Sequence, residues 1–129
     1  MIVAVAQQSA VVQAHQGFSR TLLLYSLLLA LWGLFLFLRG SNPSGGLLGA
    51  LVINEGLAVI QAVVGLILLL QGHRPADVLH YLYGIVSVVT LPAAYFFSSQ
   101  GTERRDSLIF GLATLFLVGI SIRATATGG

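Results

Sequence analysis

Cysteine is absent from this 129-residue chain, and so is lysine. Without cysteine there are no disulfides, thiolate metal sites, iron–sulfur clusters or c-type haem attachments. Without lysine, six arginines are the whole basic complement, set against four acids for a net charge of +2. No basic cluster of the kind that tracks a phosphate backbone is present, so no nucleic-acid partner is expected. Charge of either sign is scarce: 8% of residues are charged, where a soluble domain carries about a quarter. Such a chain cannot cover a water-facing surface. Also missing are a P-loop, a GxGxxG turn, a nucleophile–base arrangement and any His/Asp/Glu cluster at metal-ligand spacing, so the chain is not expected to be an enzyme and no metal site is expected.

What is present is apolar. Hydrophobic residues make up 57% of the chain and the mean hydropathy is +0.94. A helix needs about 20 largely apolar residues to cross the hydrocarbon layer. Four segments approach that length, at 21–38, 47–70, 76–97 and 107–122. They are separated by RGSNPSGG, QGHRPAD and SSQGTERRD, whose Gly, Pro, Asn and Ser punctuate helices. The sequence therefore predicts an all-α fold: a single-domain polytopic membrane protein built as a four-helix transmembrane bundle. Gly72 suits a helix C-cap and Pro75 an opening first turn. Asp106 suits the N-cap of the last helix, and Arg123 complements its C-terminal dipole.

Residues 2–19 carry no formal charge, but Gln7, Gln8, Ser9, Gln13, His15 and Gln16 interrupt their Val and Ala. With Arg20 as the first basic residue, this stretch does not read as a cleaved signal. It reads as an interfacial helix or an N-terminal extension of the first span. It lacks the Lys/Arg-rich polar face of surface-seeking helices, which points to a protein surface as readily as to lipid. Four spans place both termini on one side. Arg20, Arg74 and Arg123 share that side, and Arg39, Arg104 and Arg105 the other. With three against three, the positive-inside rule assigns no orientation. Abundant Ala, Leu, Val and Gly without cysteine or lysine point to a bacterial gene of high GC content, hence a bacterial inner membrane.

Small residues mark the helix faces that meet other helices. On the second span, Glu55, Ala58, Ala62 and Gly65 fall on one stripe, and Asn54, Ala58, Gln61 and Gly65 on an overlapping one. Ser26, Ala30 and Gly33 do the same on the first span, Ser107, Gly111 and Thr114 on the fourth, and His80, Gly84 and Ser87 on the third. Trp32 is read as a packing residue or a lipid contact. Pro92, late in the third span, is read as a kink that frees the carbonyl of Val88.

The costly residues carry the functional candidates. Glu55 falls about 12 Å inside its span at 1.5 Å per residue, where a carboxylate is a functional candidate by default. It is read as a proton relay, or a ligand for a cation or a cofactor, or as a carboxyl bonded to another helix or to one of Arg39, Arg104 and Arg105. Asn54 and Gln61 are the other polar residues within that span. His80 sits one turn into the third span, with Gly84 one turn on to admit a flat ligand. A hydrogen bond to Asp77 is its simpler reading, and His15 or His73 would supply a second axial ligand. The layout resembles b-type membrane cytochromes in outline, a four-helix bundle with histidine near one end. It departs from their di-haem pattern, because only His80 lies inside a predicted span. The resemblance implies one haem b at most and carries over no residue roles.

Three functions follow as expectations. The first is a small accessory subunit of a larger membrane complex, plausibly energy-transducing, with other membrane subunits or copies of itself as partners alongside the lipid bilayer. The second is electron transfer through one haem b, or a quinone held near His80 and Tyr83. The third is an oligomeric transporter of protons, ions or small solutes that uses Glu55.

Overall fold

The computed structural model describes the backbone of residues 2–128, and their side chains except those of residues 4, 5 and 7–9. Four helices follow in order: α1 (Ile2–Leu38), α2 (Gly45–Leu70), α3 (Leu79–Phe97) and α4 (Arg104–Gly128). All four are long and apolar enough to cross a membrane, and the described residues contain no strand. The fold is an all-α four-helix bundle.

Short connections bring consecutive helices back as antiparallel neighbours. α1 packs most extensively on α4, less on α2; α3 packs on α4 and only sparsely on α2. Among the described residues α1 and α3 make no close backbone approach, and neither do α2 and α4. These two pairs are the diagonals of the bundle.

The N-terminal segment is an extension of α1, not a separate interfacial helix. α1 runs without a break from Ile2 to Leu38, so this stretch is continuous with the first span. Gln13 and Gln16 are exposed; the side chains of Gln7, Gln8 and Ser9 lie outside the described set. Other boundaries also move. α3 opens at Leu79 and not at Ala76, because residues 73–78 form an extended, bent connection in which Pro75 starts no helix. α4 opens at Arg104 and continues to Gly128, well past Ile122. The Ser44 hydroxyl accepts from the Leu47 amide and caps α2. Gly72, at φ +90°, turns the chain out of α2 as expected of a residue without a Cβ.

The core is a layer of Leu29, Leu47, Leu51, Leu91, Phe110 and Leu117. Between α1 and α2 a buried polar pair joins it: Asn54 Nδ2 donates to Ser26 Oγ at 3.2 Å, and that hydroxyl lies 3.4 Å from Asn54 Oδ1. The Tyr25 hydroxyl donates to the Ala50 carbonyl at 2.9 Å. Such bonds between helices contribute roughly 1 kcal/mol each in lipid. The outer faces are large and apolar. Leu24, Leu28, Leu31 and Phe35 recur at helical spacing along the exposed side of α1, as Leu82, Ile85 and Val89 do along α3. Trp32 is partly exposed at the edge of this belt.

Candidate functional site

Two places in the bundle draw polar side chains inward. The first lies near the end that carries the termini. His15, on α1, and His80, on α3, belong to diagonal helices, yet their rings meet across the bundle axis with centroids 6.1 Å apart and planes at 70°. His15 lies in the N-terminal part of α1, half-buried between the exposed Gln13 and Gln16.

All four helices position this pair. Gln61, on α2, donates from Nε2 to the His15 carbonyl at 2.8 Å. Gly65, one turn further along α2, gives the His15 ring its room, since a Cβ there would sit 3.3 Å from Cε1. His80 Nδ1 lies 2.8 Å from the Ala124 carbonyl and 3.3 Å from Thr127 Oγ1, both on α4. A Cβ at Gly128 would come within 3.0 Å of the His80 ring. Nearby, Ser19 and Thr125 share a hydrogen bond of 3.1 Å that ties α1 to α4 at the same level.

Hydrogen bonding fixes the chemistry of His80. A carbonyl only accepts, so Nδ1 carries the proton and the lone pair sits on Nε2. The expected bond to Asp77 does not form. Asp77 Oδ1 accepts from the Leu79 amide at 2.9 Å, turning the chain into α3. His15 Nδ1 is buried without a hydrogen-bond partner. His73 is exposed in the connection between α2 and α3 and stands apart from the pair.

Glu55 marks the second place. α2 starts at Gly45, so Glu55 lies ten residues in, about 15 Å along the helix axis. Its Oε2 is buried with no hydrogen-bond partner. The three arginines on the nearer side are engaged elsewhere. Arg39 lies over the Phe35 ring, Arg104 Nε donates to the Phe37 carbonyl at 2.8 Å, and Arg105 pairs with Glu103 at 3.2 Å. Glu55 instead lines a cavity of about 460 Å³ between α2 and α3, with Leu48, Leu51, Leu91, Pro92, Tyr95 and Phe110 among its walls.

The two stripes predicted on α2 separate here. Asn54 and Ala58 are buried and Gln61 is half-buried, whereas Ala62 is exposed and Glu55 sits on the flank facing the cavity. Asn54 is taken up by Ser26 and is a packing group. Asp106, at the start of α4, was read from sequence only as a helix cap. It is fully buried and its carboxylate accepts from the amides of Ser99, Gly101 and Glu103. It organises the connection from α3 to α4 and is not its helix's N-cap, since α4 already begins at Arg104. Among the described residues no group of three or more His, Asp or Glu side chains is placed to hold a metal ion. No protein family, curated protein or solved structure matches this chain.

Proposed function

We propose that this protein is a small membrane-embedded electron carrier holding one haem b between His15 and His80. The observation that carries this reading is the 6.1 Å separation of the two rings across the bundle diagonal. A histidine nitrogen lies about 2 Å from a metal it ligates. Adding the half-width of each imidazole, two rings on opposite sides of one metal ion stand about 6 Å apart, centroid to centroid. The angle between the ring planes is unconstrained, because both planes contain the axis through the metal.

The poverty of the site in other ligands supports haem over a bare ion. Two imidazoles complete a coordination sphere where a porphyrin supplies the remaining four nitrogens. Bonding of His80 Nδ1 to a backbone carbonyl is the arrangement that orients a ligating imidazole and raises its basicity. The unpartnered Nδ1 of His15 is costly where it stands. A Cβ at Gly84, one turn along α3 from His80, would meet nothing within 4 Å. Held by His15 and His80, a haem would supply one-electron chemistry and would be suited to passing electrons.

The test is an absorption spectrum of gently extracted protein from haem-replete cells, with haem titration of any colourless fraction. We expect a Soret band and a low-spin spectrum in the wild type. His15→Ala and His80→Ala should each give weaker binding and a vacated axial position that takes carbon monoxide on reduction. A chain that stays colourless through the titration would sink the proposal.

The subunit reading is supported by a different feature. α1 and α2 continue past the histidines while α3 has just begun and α4 ends. From Gln61 to Leu70, α2 alone runs on by roughly 13 Å. This projection suits a docking element for another membrane subunit. Co-purification after mild solubilisation tests it, and a monodisperse protein without companions would count against it.

A further inference from the structure

Glu55 has no part in the haem reading, and its surroundings are specific enough to name a ligand. The cavity lies between α2 and α3, the most sparsely packed neighbours in the bundle, and Val52, Pro92 and Tyr95 on its rim are exposed. Since these outer faces meet lipid, the cavity opens sideways into the hydrocarbon layer. A ligand must therefore arrive dissolved in the membrane. At about 460 Å³ the space falls within the range of small-molecule sites and suits one substituted ring, with a tail left among the lipids.

The walls narrow the choice further. Leu48, Leu51, Leu91 and Phe110 are apolar, and Tyr95 and Pro92 add flat surfaces. The acidic group is Glu55, whose buried Oε2 has no partner. With no cationic side chain in the lining, a phosphate-bearing lipid headgroup would bury its charge uncompensated. A simple acyl chain would fill the space but leave the carboxyl unsatisfied. A neutral ring bearing a hydroxyl answers both walls and carboxyl without bringing a charge into the cavity. A carboxyl also serves both redox forms of such a ring. Ionised, it accepts from a quinol hydroxyl; protonated, it donates to a quinone carbonyl.

We infer that the lateral cavity between α2 and α3 binds the ring of a membrane quinol, with Glu55 as its hydrogen-bond partner. This places the ring in the half of the bundle away from His15 and His80, with Glu55 six residues, or about 9 Å along α2, from the Gln61 that bonds His15. The site is distinct from the region near His80 and Tyr83. Binding at Glu55 does not require haem.

The experiment measures thermal stabilisation of the full chain in detergent by decylubiquinol, with decylbenzene as a probe of equal tail that lacks the hydroxyls. We expect saturable stabilisation by the quinol and none by decylbenzene. Glu55→Leu should weaken quinol binding at least tenfold. So should Gly49→Phe, which fills the cavity from a position where a Cβ would meet nothing within 4 Å. Glu55→Leu removes an unpaired buried carboxyl and is expected to fold. The His80→Ala variant should bind the quinol like the wild type, so that loss of the haem reading and loss of this one are separately visible. Equal stabilisation by both probes would mean that the cavity takes any acyl chain. That result, or unchanged quinol affinity in Glu55→Leu, overturns the inference.

Discussion

Asp106 and Glu55 are both carboxyls in a membrane protein, and their surroundings assign them opposite tasks. Asp106 accepts three backbone N–H bonds, from Ser99 and Gly101 at 2.9 and 3.0 Å and from Glu103 at 3.1 Å. These donors are the amides of a tight connection in which Gln100 and Gly101 both adopt positive φ. Asp106→Asn keeps the shape but replaces one oxygen with a donor that faces at least one of those amides. A buried N–H left without an acceptor costs about 1–3 kcal/mol. We expect Asp106→Asn to lower the thermal midpoint of the purified protein by several degrees. Glu103→Gln, which removes an exposed partner of Arg105, should leave the midpoint nearly unchanged, as surface ion pairs do. Equal effects would show that the carboxylate does not organise the connection. The sequence marked Glu55 and His80 because depth makes any charge or imidazole conspicuous. It could not mark Asp106, which stands beside charged loop residues and shows its role only when the backbone curls around it. It offered both His15 and His73 as partners for His80 and could not choose between them, since 65 positions separate His15 from His80 and the registers of α1 and α3 decide whether they meet.

Between elements, the closest approach is that of α1 and α4, and it depends on two glycines. A Cβ on Gly33 would lie 2.9 Å from Gly111 Cα and 3.0 Å from the Ser107 carbonyl oxygen. A Cβ on Gly111 would lie 3.0 Å from the Leu34 amide nitrogen. These obstacles are mainly backbone and cannot rotate away. Alanine gains roughly 1 kcal/mol over glycine within a helix, but overpacking costs about 1–3 kcal/mol. At Gly33 and Gly111 the second effect should win, so Gly33→Ala and Gly111→Ala should destabilise the bundle. At Gly56 a Cβ would meet nothing within 4 Å, and Gly56→Ala should be neutral or stabilising. Unfolding titrations in mixed micelles can rank the three; a Gly33→Ala protein as stable as Gly56→Ala would contradict the close contact. Small-residue stripes were legible in sequence for the first and fourth helices. What was not legible is which small residue bears the contact, because Gly56 and Gly111 sit in the same Gly-Leu-Ala context and only one of them faces a neighbouring backbone.

For the molecule as a whole, α3 is the helix that decides the topology. Its 19 residues reach about 28 Å at 1.5 Å per residue, just short of a hydrocarbon layer about 30 Å thick, and it contains Pro92. A small shortfall of this kind is met by local thinning of the bilayer or by flanking side chains that reach the interface. Phe96 and Phe97 are strongly exposed at one end and Tyr81 partly so at the other, as an interfacial anchor would be. If α3 crosses, residues 39–44 and 98–103 lie on one side of the membrane and residues 71–78 on the other. The chain has no cysteine, so a single introduced thiol reports its own position without background. Arg39, Ala76 and Glu103 are all exposed, and replacing each by cysteine in turn leaves the core intact. With a membrane-impermeant maleimide on sealed vesicles of one orientation, Arg39→Cys and Glu103→Cys should react alike and Ala76→Cys oppositely. In vesicles of reversed orientation the pattern should invert. Ala76→Cys and Glu103→Cys reacting from the same side would mean that α3 does not cross. It would then lie in the interface, and both the His15–His80 pair and the cavity at Glu55, each of which needs α3 upright against the bundle, would lose one wall.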